Sequence, residues 1–99
     1  MDTNTLITNV IEWGREKELH DPNKQFIKLV EEVGEVAHEI SRNQYNSLAI
    51  EDGIGDTLVT IIILADILGY NPMECLELAY NEIKNRTGET KDGTFVKNS

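Results

Sequence analysis

The apolar residues of this chain recur three and four positions apart over most of its length, a spacing that predicts α-helices. Pro22 and Pro72 each follow a residue type that caps helix N-termini, and Ser47 is a third candidate cap. The predicted helices cover about residues 3–18, 22–45, 48–68 and 72–86. A Lys91-Asp92-Gly93 turn in the polar tail predicts a short extended segment or hairpin. We therefore predict one all-α domain over residues 1–99, a four-helix bundle with a short extended C-terminal tail.

The charge balance limits the possible partners. The 99 residues include 18 acidic and 9 basic side chains, for a net charge of −9. A chain this acidic has no general attraction for phosphate backbones or anionic lipid, so we expect neither nucleic acid nor a membrane as partner. The single cysteine, Cys75, permits no internal disulfide and no signal-peptide pattern opens the sequence, so we expect a cytoplasmic protein. Binding of a polyphosphate would require a divalent cation held by the surplus carboxylates.

The predicted second helix carries several acids beside its apolar face. Glu32 and Glu35 are three residues apart, and Glu31 and Glu35 are four apart, so these side chains are neighbours on the helix surface. At about 100° per residue, Glu32 lies nearest the apolar edge. Lys28, four residues before Glu32, offsets only part of the repulsion among the acids. A solvated acidic surface is the alternative interpretation of this cluster.

The predicted third helix is apolar on two opposite faces, which indicates burial on both sides. Asp52 and Asp56 begin a line of residues that Val59 and Ile63 continue. Unpaired buried carboxylates are costly, and few basic residues lie nearby in the sequence, so we expect a metal ion. Oxygen ligands without histidine favour Mg²⁺, or Mn²⁺, over zinc. A short chain has too little mass to cover both faces, so we also expect self-association.

Three segments, in this order, resemble the MazG-like all-α nucleoside triphosphate pyrophosphohydrolases, and in particular their short, single-domain, phage-type members. Residues 28–35 (KLVEEVGE) fit that family's Glu-Glu-x-x-Glu element. Residues 52–59 (DGIGDTLV) resemble its second acidic element, and residues 81–88 (NEIKNRTG) followed by 93–97 (GTFVK) resemble its C-terminal element. One position departs from the pattern, because the usual Glu-x-x-Asp would place an acid at Gly53, whereas Asp52 lies one residue earlier.

The resemblance implies Mg²⁺-dependent hydrolysis of a nucleoside or deoxynucleoside triphosphate between its α- and β-phosphates, giving a nucleoside monophosphate and pyrophosphate. Its implied metal ligands are Glu32, Glu35, Asp52 and Asp56, and Glu31 would orient or deprotonate the attacking water. The implied substrate contacts are Trp13, Asn81, Lys84, Arg86 and Lys97.

The same resemblance implies a homodimer or a dimer of dimers. These substrate contacts have structural alternatives. Trp13 could lie at the edge of the core, and Lys84 and Arg86 could be solvated basic residues near a helix C-terminus. The competing interpretation of the whole chain is a catalytically silent helical module that docks a protein through its acidic face. Gly53, in place of the expected acid, is the feature that favours it.

Overall fold

The computed structural model describes residues 1–43 and 45–98. It contains four helices, α1 (Thr3–Glu16), α2 (Pro22–Ser41), α3 (Leu48–Ile67) and α4 (Pro72–Ile83), followed by a hairpin of β1 (Gly88–Lys91) and β2 (Thr94–Lys97). The predicted all-α class with a short extended tail is confirmed. Gln44, which falls within the predicted second helix, and Ser99 lie outside the described residues. In the described ranges, no helix combines the length and apolar character needed to cross a bilayer.

Side-chain caps explain why the helices begin where the sequence predicts. The Asp21 carboxylate accepts hydrogen bonds from the backbone N–H groups of Asn23 and Lys24, and Asn71 caps α4 in the same way. Each of these two caps precedes a proline in the first helical position, where its missing N–H costs no hydrogen bond. Ser47 Oγ accepts from the Ile50 N–H at 3.2 Å and so starts α3.

All four helices end earlier than predicted, α3 by one residue and the other three by two to four. The helix α1 ends at Glu16 rather than residue 18, α2 at Ser41 rather than 45, and α4 at Ile83 rather than 86. Glu18 and Asn43 both adopt a φ of 58°, a left-handed conformation that an α-helix does not continue through. Glutamate gives no stop signal at position 18, whereas asparagine at position 43 is a residue type that adopts this conformation and was overlooked, so both predicted helices were too long.

Helix α3 is central, because it contacts each of the other three helices. Its closest partner is α2, and the two backbones approach at Gly53, where a Cβ would lie 2.7 Å from Val36 Cγ2. Where α1 meets α3, the buried Gly14 lies against Ile63. Within the described residues, α4 contacts α3 alone and the hairpin contacts no helix. The helices of a single chain therefore form an open arrangement around α3.

A single chain buries little of its apolar surface. Ile63, 3% exposed, is the one buried hydrophobic side chain among the described residues. The accessible surface is 7862 Å², whereas a compact monomer of this mass exposes about 5,700 Å². The radius of gyration is 16.0 Å, against about 12.6 Å for a compact chain of this length. One apolar face of α3 is about half exposed at Ile54, Leu58, Ile61 and Leu68.

Candidate functional site

A cavity of about 770 Å³ lies between α1, the connection from residue 18 to residue 21, α2 and α3. This volume falls in the range of small-molecule and cofactor sites. Its apolar lining is formed by Trp13, Leu19, Val59 and Ile63. Its polar lining is formed by Glu18, His20, Asp21, Lys24, Gln25, Lys28, Glu32, Asp56 and Thr60. The cavity thus combines an aromatic wall with both acidic and basic side chains.

Glu32 is the buried acid of this cavity. Only 5% of the residue is exposed, and Lys28 Nζ lies 3.1 Å from Glu32 Oε1. The second oxygen, Oε2, is buried and has no hydrogen-bond partner within residues 1–43 and 45–98. A carboxylate oxygen left in this state costs about 1–3 kcal/mol or more, so it is a strong candidate to receive a cation. The predicted position of Glu32 at the apolar edge of α2 agrees with its burial.

Asp56 lines the same cavity from α3 but is exposed, as is Asp52, so the expectation that these two aspartates are buried is wrong. A buried hydrogen bond joins the two helices beside Asp56, because Gln25 Nε2 donates to the Thr60 carbonyl at 3.2 Å. The Thr60 hydroxyl in turn donates to the Asp56 carbonyl at 2.6 Å. The Gln25 bond links α2 to α3 beside the cavity that Glu32 and Asp56 line, whereas the Thr60 hydroxyl bond lies within α3. The predicted line of Asp56, Val59 and Ile63 along one face of α3 is present in its wall.

The other predicted acids lie outside this cavity. Glu31 and Glu35 are exposed and line a separate depression of about 560 Å³ with His38, Glu39 and Ala49. Asp52 is exposed on α3 and lines neither space. In the described part of the chain, no group of three or more acidic, histidine or cysteine side chains is placed to hold a metal ion. The structure thus brings Glu32 and Asp56 to one cavity and leaves Glu31, Glu35 and Asp52 outside its lining.

The close approach of α2 and α3 accounts for the departure from the family pattern at Gly53. This residue is buried, and a side chain there would collide with Val36. Position 53 therefore faces α2 in this structure and has no room for an acid. Asp52, the neighbouring acid on α3, is the remaining candidate for the second element.

Of the predicted substrate contacts, Trp13 alone lines the cavity, with 49% of the residue exposed. Asn81 lies on α4, Lys84 and Arg86 follow its last turns, and Lys97 lies on β2. Neither α4 nor the hairpin contacts α2 within the described residues. Arg86 pairs with Glu82 at 3.0 Å, and the Lys84 ammonium lies 5.9 Å from the centre of the Tyr80 ring.

Sequence reasoning treated Lys28 only as a partial counter-charge to the acids and did not name Lys24, although both line the cavity. Lys24 and Lys28 lie two turns and one turn before Glu32 on α2. Their spacing of four residues was visible in the sequence and places all three side chains on one helix face. The hydrogen bond to Glu32 raises the pKa of Lys28, and the negative charge of Glu32 raises it further. Lys28 therefore carries a full positive charge beside the buried acid at neutral pH.

Comparison with known proteins agrees with this arrangement. The sequence profile of the MazG nucleotide pyrophosphohydrolase domain matches residues 21–87, which include α2, α3 and α4. A protein of Haemophilus phage HP1 (strain HP1c1), described as an uncharacterized 18.2 kDa protein in the rep-hol intergenic region, is 40% identical over 67 residues. That match covers 65% of this chain and 40% of the phage protein, so the chain spans well under two thirds of its relative.

No solved structure shows significant similarity to the chain. The domain match covers more than half of the sequence and contains Glu32 and Asp56, the two acids that share the cavity. On these grounds the chain belongs to the MazG nucleotide pyrophosphohydrolase family.

Proposed function

We propose that this protein hydrolyses a nucleoside or deoxynucleoside triphosphate between the α- and β-phosphates, releasing a nucleoside monophosphate and pyrophosphate. The observation that carries the proposal is Glu32, a buried carboxylate beside a nucleotide-sized cavity with one oxygen that has no partner among the described residues. Asp56 and Trp13 line the same cavity, which supports a site for a cation and for an aromatic base. We place the reaction in the cytoplasm.

The donor set fits a hard divalent cation, because carboxylate oxygens are the ligands that Mg²⁺ and Mn²⁺ prefer. Glu32 and Asp56 would hold Mg²⁺ from the cavity wall. Glu35 and Asp52 lie three residues after Glu32 and four before Asp56, and we include them as further ligands. When bound, Mg²⁺ neutralises phosphate charge and lowers the pKa of a bound water.

The remaining roles belong to side chains around the acids. Glu31 precedes Glu32 and is exposed, which suits a group that orients the attacking water and accepts its proton. Trp13 lines the cavity and 49% of the residue is exposed, which suits stacking against a nucleobase. We thus propose Glu31 as the general base of the reaction and Trp13 as the side chain that stacks on the nucleobase of the substrate.

We propose further that the working unit is a homodimer or a dimer of dimers. The chain exposes about 2,200 Å² more surface than a compact monomer would, an amount suited to a permanent interface. A second, almost wholly apolar space of about 840 Å³ lies along α1, α3 and α4, with Leu6, Leu58 and Leu76 in its wall. A second copy is the proposed occupant of this surface.

The same assembly gives a role to the basic C-terminal residues. The four residues lie on or next to α4 and the hairpin, which do not contact α2 within the described residues of the same chain: Asn81, Lys84, Arg86 and Lys97. Contact between these residues and a nucleotide would therefore involve the cavity of a neighbouring copy. Their positive side chains would supply charge complementary to a triphosphate, which an acidic chain needs.

Pyrophosphate release from a panel of NTPs and dNTPs with Mg²⁺ tests the proposed reaction. Glu32→Gln should reduce kcat/KM by at least about a hundredfold, because it removes a charged metal ligand. Glu35→Gln should also lower it, and Glu74→Gln, an exposed acid on α4, is the matched control that should leave it unchanged. Absence of turnover for every nucleotide, with Glu32→Gln indistinguishable from the wild type, would refute the proposal.

The second candidate is a catalytically silent module that docks a protein through its acidic face. It is favoured by one observation, that the acids of the described residues form no three-membered group around a common point. Titration calorimetry distinguishes the two candidates. Mg²⁺ binding that Glu32→Gln abolishes supports the enzyme, whereas a purified partner bound equally well with and without metal supports the module.

A further inference from the structure

Lys28 and Glu32 form an ion pair at the mouth of the cavity in which the two partners have very different freedom. The Lys28 ammonium lies 3.1 Å from Glu32 Oε1, and the side chains are 57% and 7% exposed respectively. Glu32 is buried on α2 and is confined there by the packing around it. Lys28 has a flexible four-carbon stem and reaches solvent along its length. Any rearrangement of this pair therefore moves the lysine.

A divalent cation and the ammonium compete for the same carboxylate. Oε2 of Glu32 is the open oxygen, and the two oxygens of one carboxyl group are close enough that an ion on one repels an ion on the other. Because Glu32 Oε2 is buried, this repulsion is screened less than between two surface charges. Metal binding therefore drives Lys28 away from Glu32.

The same cavity offers the displaced ammonium a new partner. On the proposed function, the triphosphate enters beside Glu32 and Asp56, and Lys28 lies in the same wall. An ammonium freed from a carboxylate next to a phosphate chain forms a charge-assisted hydrogen bond with a phosphate oxygen. Lys28 thus has one anionic partner before metal and nucleotide bind and another afterwards.

We propose that Lys28 is an exchangeable counter-ion, paired with Glu32 in the metal-free protein and with a substrate phosphate in the loaded one. This inference rests on the proposed function. Metal and nucleotide would then strengthen each other's binding, because the metal frees Lys28 from Glu32 for the phosphate, and the phosphate keeps Lys28 away from the metal ligand. It also gives the buried acid a positive neighbour whenever the metal is absent.

The test measures how Lys28→Met changes the affinity for Mg²⁺ and the affinity for a nucleotide analogue, and the two changes should be opposite in direction. Calorimetry measures both without turnover. Mg²⁺ alone should bind the variant about tenfold more tightly, because its competitor is gone. A non-hydrolysable α,β-methylene dNTP, with Mg²⁺ saturating, should bind at least about tenfold more weakly, because a phosphate contact is lost. A variant that merely disturbs the fold would weaken both.

Two further variants make the result specific. Lys17→Met removes the same charge from an exposed lysine outside the cavity and should change each affinity by less than about twofold. Lys28→Arg keeps a positive charge beside Glu32, so its affinities for Mg²⁺ and for the nucleotide analogue should both stay close to those of the wild type. The proposal would be overturned if Lys28→Met, with unchanged circular dichroism, bound both ligands more weakly. It would also be overturned if neither affinity changed.

The same measurements separate this inference from the proposed function. Opposite shifts in a protein that hydrolyses no nucleotide would support the counter-ion exchange and refute the reaction. Turnover by the wild type, with both ligands weakened in Lys28→Met, would support the reaction and refute the exchange.

Discussion

Gly53 on α3 lies so close to Val36 on α2 that a Cβ at position 53 would come within 2.7 Å of Val36 Cγ2. This contact sets how closely the two helices approach at the level of the candidate site. It also explains why the chain has no acid at the position where the family pattern places one. The spacing between Glu32 and Asp56 depends on it, since they line the cavity from these two helices.

Substitution of Gly53 tests this packing. Gly53→Ala should lower the free energy of unfolding by about 1–3 kcal/mol, because the added methyl group overpacks a helix contact. Gly34→Ala is the matched control, since a Cβ there meets nothing within 4 Å and should stabilise the protein, by up to about 1 kcal/mol. Urea denaturation measures both. Gly53→Glu, which restores the acid of the family pattern, should destabilise the fold without tightening Mg²⁺ binding.

Gln25 provides a second test of the junction between α2 and α3. Its amide donates to the Thr60 carbonyl inside the protein. Gln25→Leu should cost about 1 kcal/mol, whereas Gln25→Glu should cost about 1–3 kcal/mol because it places a carboxylate against that carbonyl. Equal urea midpoints for Gln25→Glu and the wild type would show that this hydrogen bond contributes nothing to the helix pair.

Trp13 is expected to stack on the nucleobase. Trp13→Ala should raise KM between about fivefold and a hundredfold, the range for loss of one base–aromatic stack, and Trp13→Phe should have a smaller effect. Steady-state kinetics with one good substrate gives both values. Quenching of the tryptophan fluorescence by the α,β-methylene analogue provides an independent readout, and an unquenched signal at saturation would place the base elsewhere.

The apolar surface along α3 predicts a concentration-dependent assembly. Leu58→Lys should shift the protein from dimer or tetramer toward monomer, because it places a charge in the proposed interface. Light scattering coupled to size exclusion measures the mass directly. Leu78→Lys, an exposed leucine on α4 outside that apolar space, is the control. A wild-type protein that elutes as a monomer at high concentration would contradict the prediction.

The N-terminal cap of α1 predicts a pH effect of defined sign. The backbone N–H of Thr5 donates to Asp2 at 2.8 Å, and this hydrogen bond lowers the pKa of Asp2 below its usual 3.8. The stabilisation is therefore complete above pH 3.8 and is lost as the pH falls through the lowered value. Asp2→Asn keeps a capping group that does not titrate. The difference in thermal midpoint between wild type and Asp2→Asn should favour the wild type at pH 6 and shrink toward pH 2 (about the limit of the titration).

Local signals account for the parts of the fold that the sequence predicted correctly. The caps Asp21, Ser47 and Asn71 act on N–H groups two or three residues away, so each helix start is visible in the sequence. The ends of α1 and α2 depend on left-handed turns at Glu18 and Asn43. Glutamate gives no signal for that conformation, and the asparagine, which does, was not used as a helix stop. The predicted ends were wrong for that reason.

The sequence by itself determined the helix count, the helix starts and the position of Glu32 at the edge of an apolar face, because these follow from spacing along one helix. Only the tertiary structure decided that Asp56 shares a cavity with Glu32, that Lys28 covers one of its oxygens, and that Gly53 packs against Val36. Those relationships join residues on different helices or depend on rotamers, and both are set by long-range packing. Helical periodicity indicates which residues share one face of a helix. It does not indicate which face of another helix packs against that face.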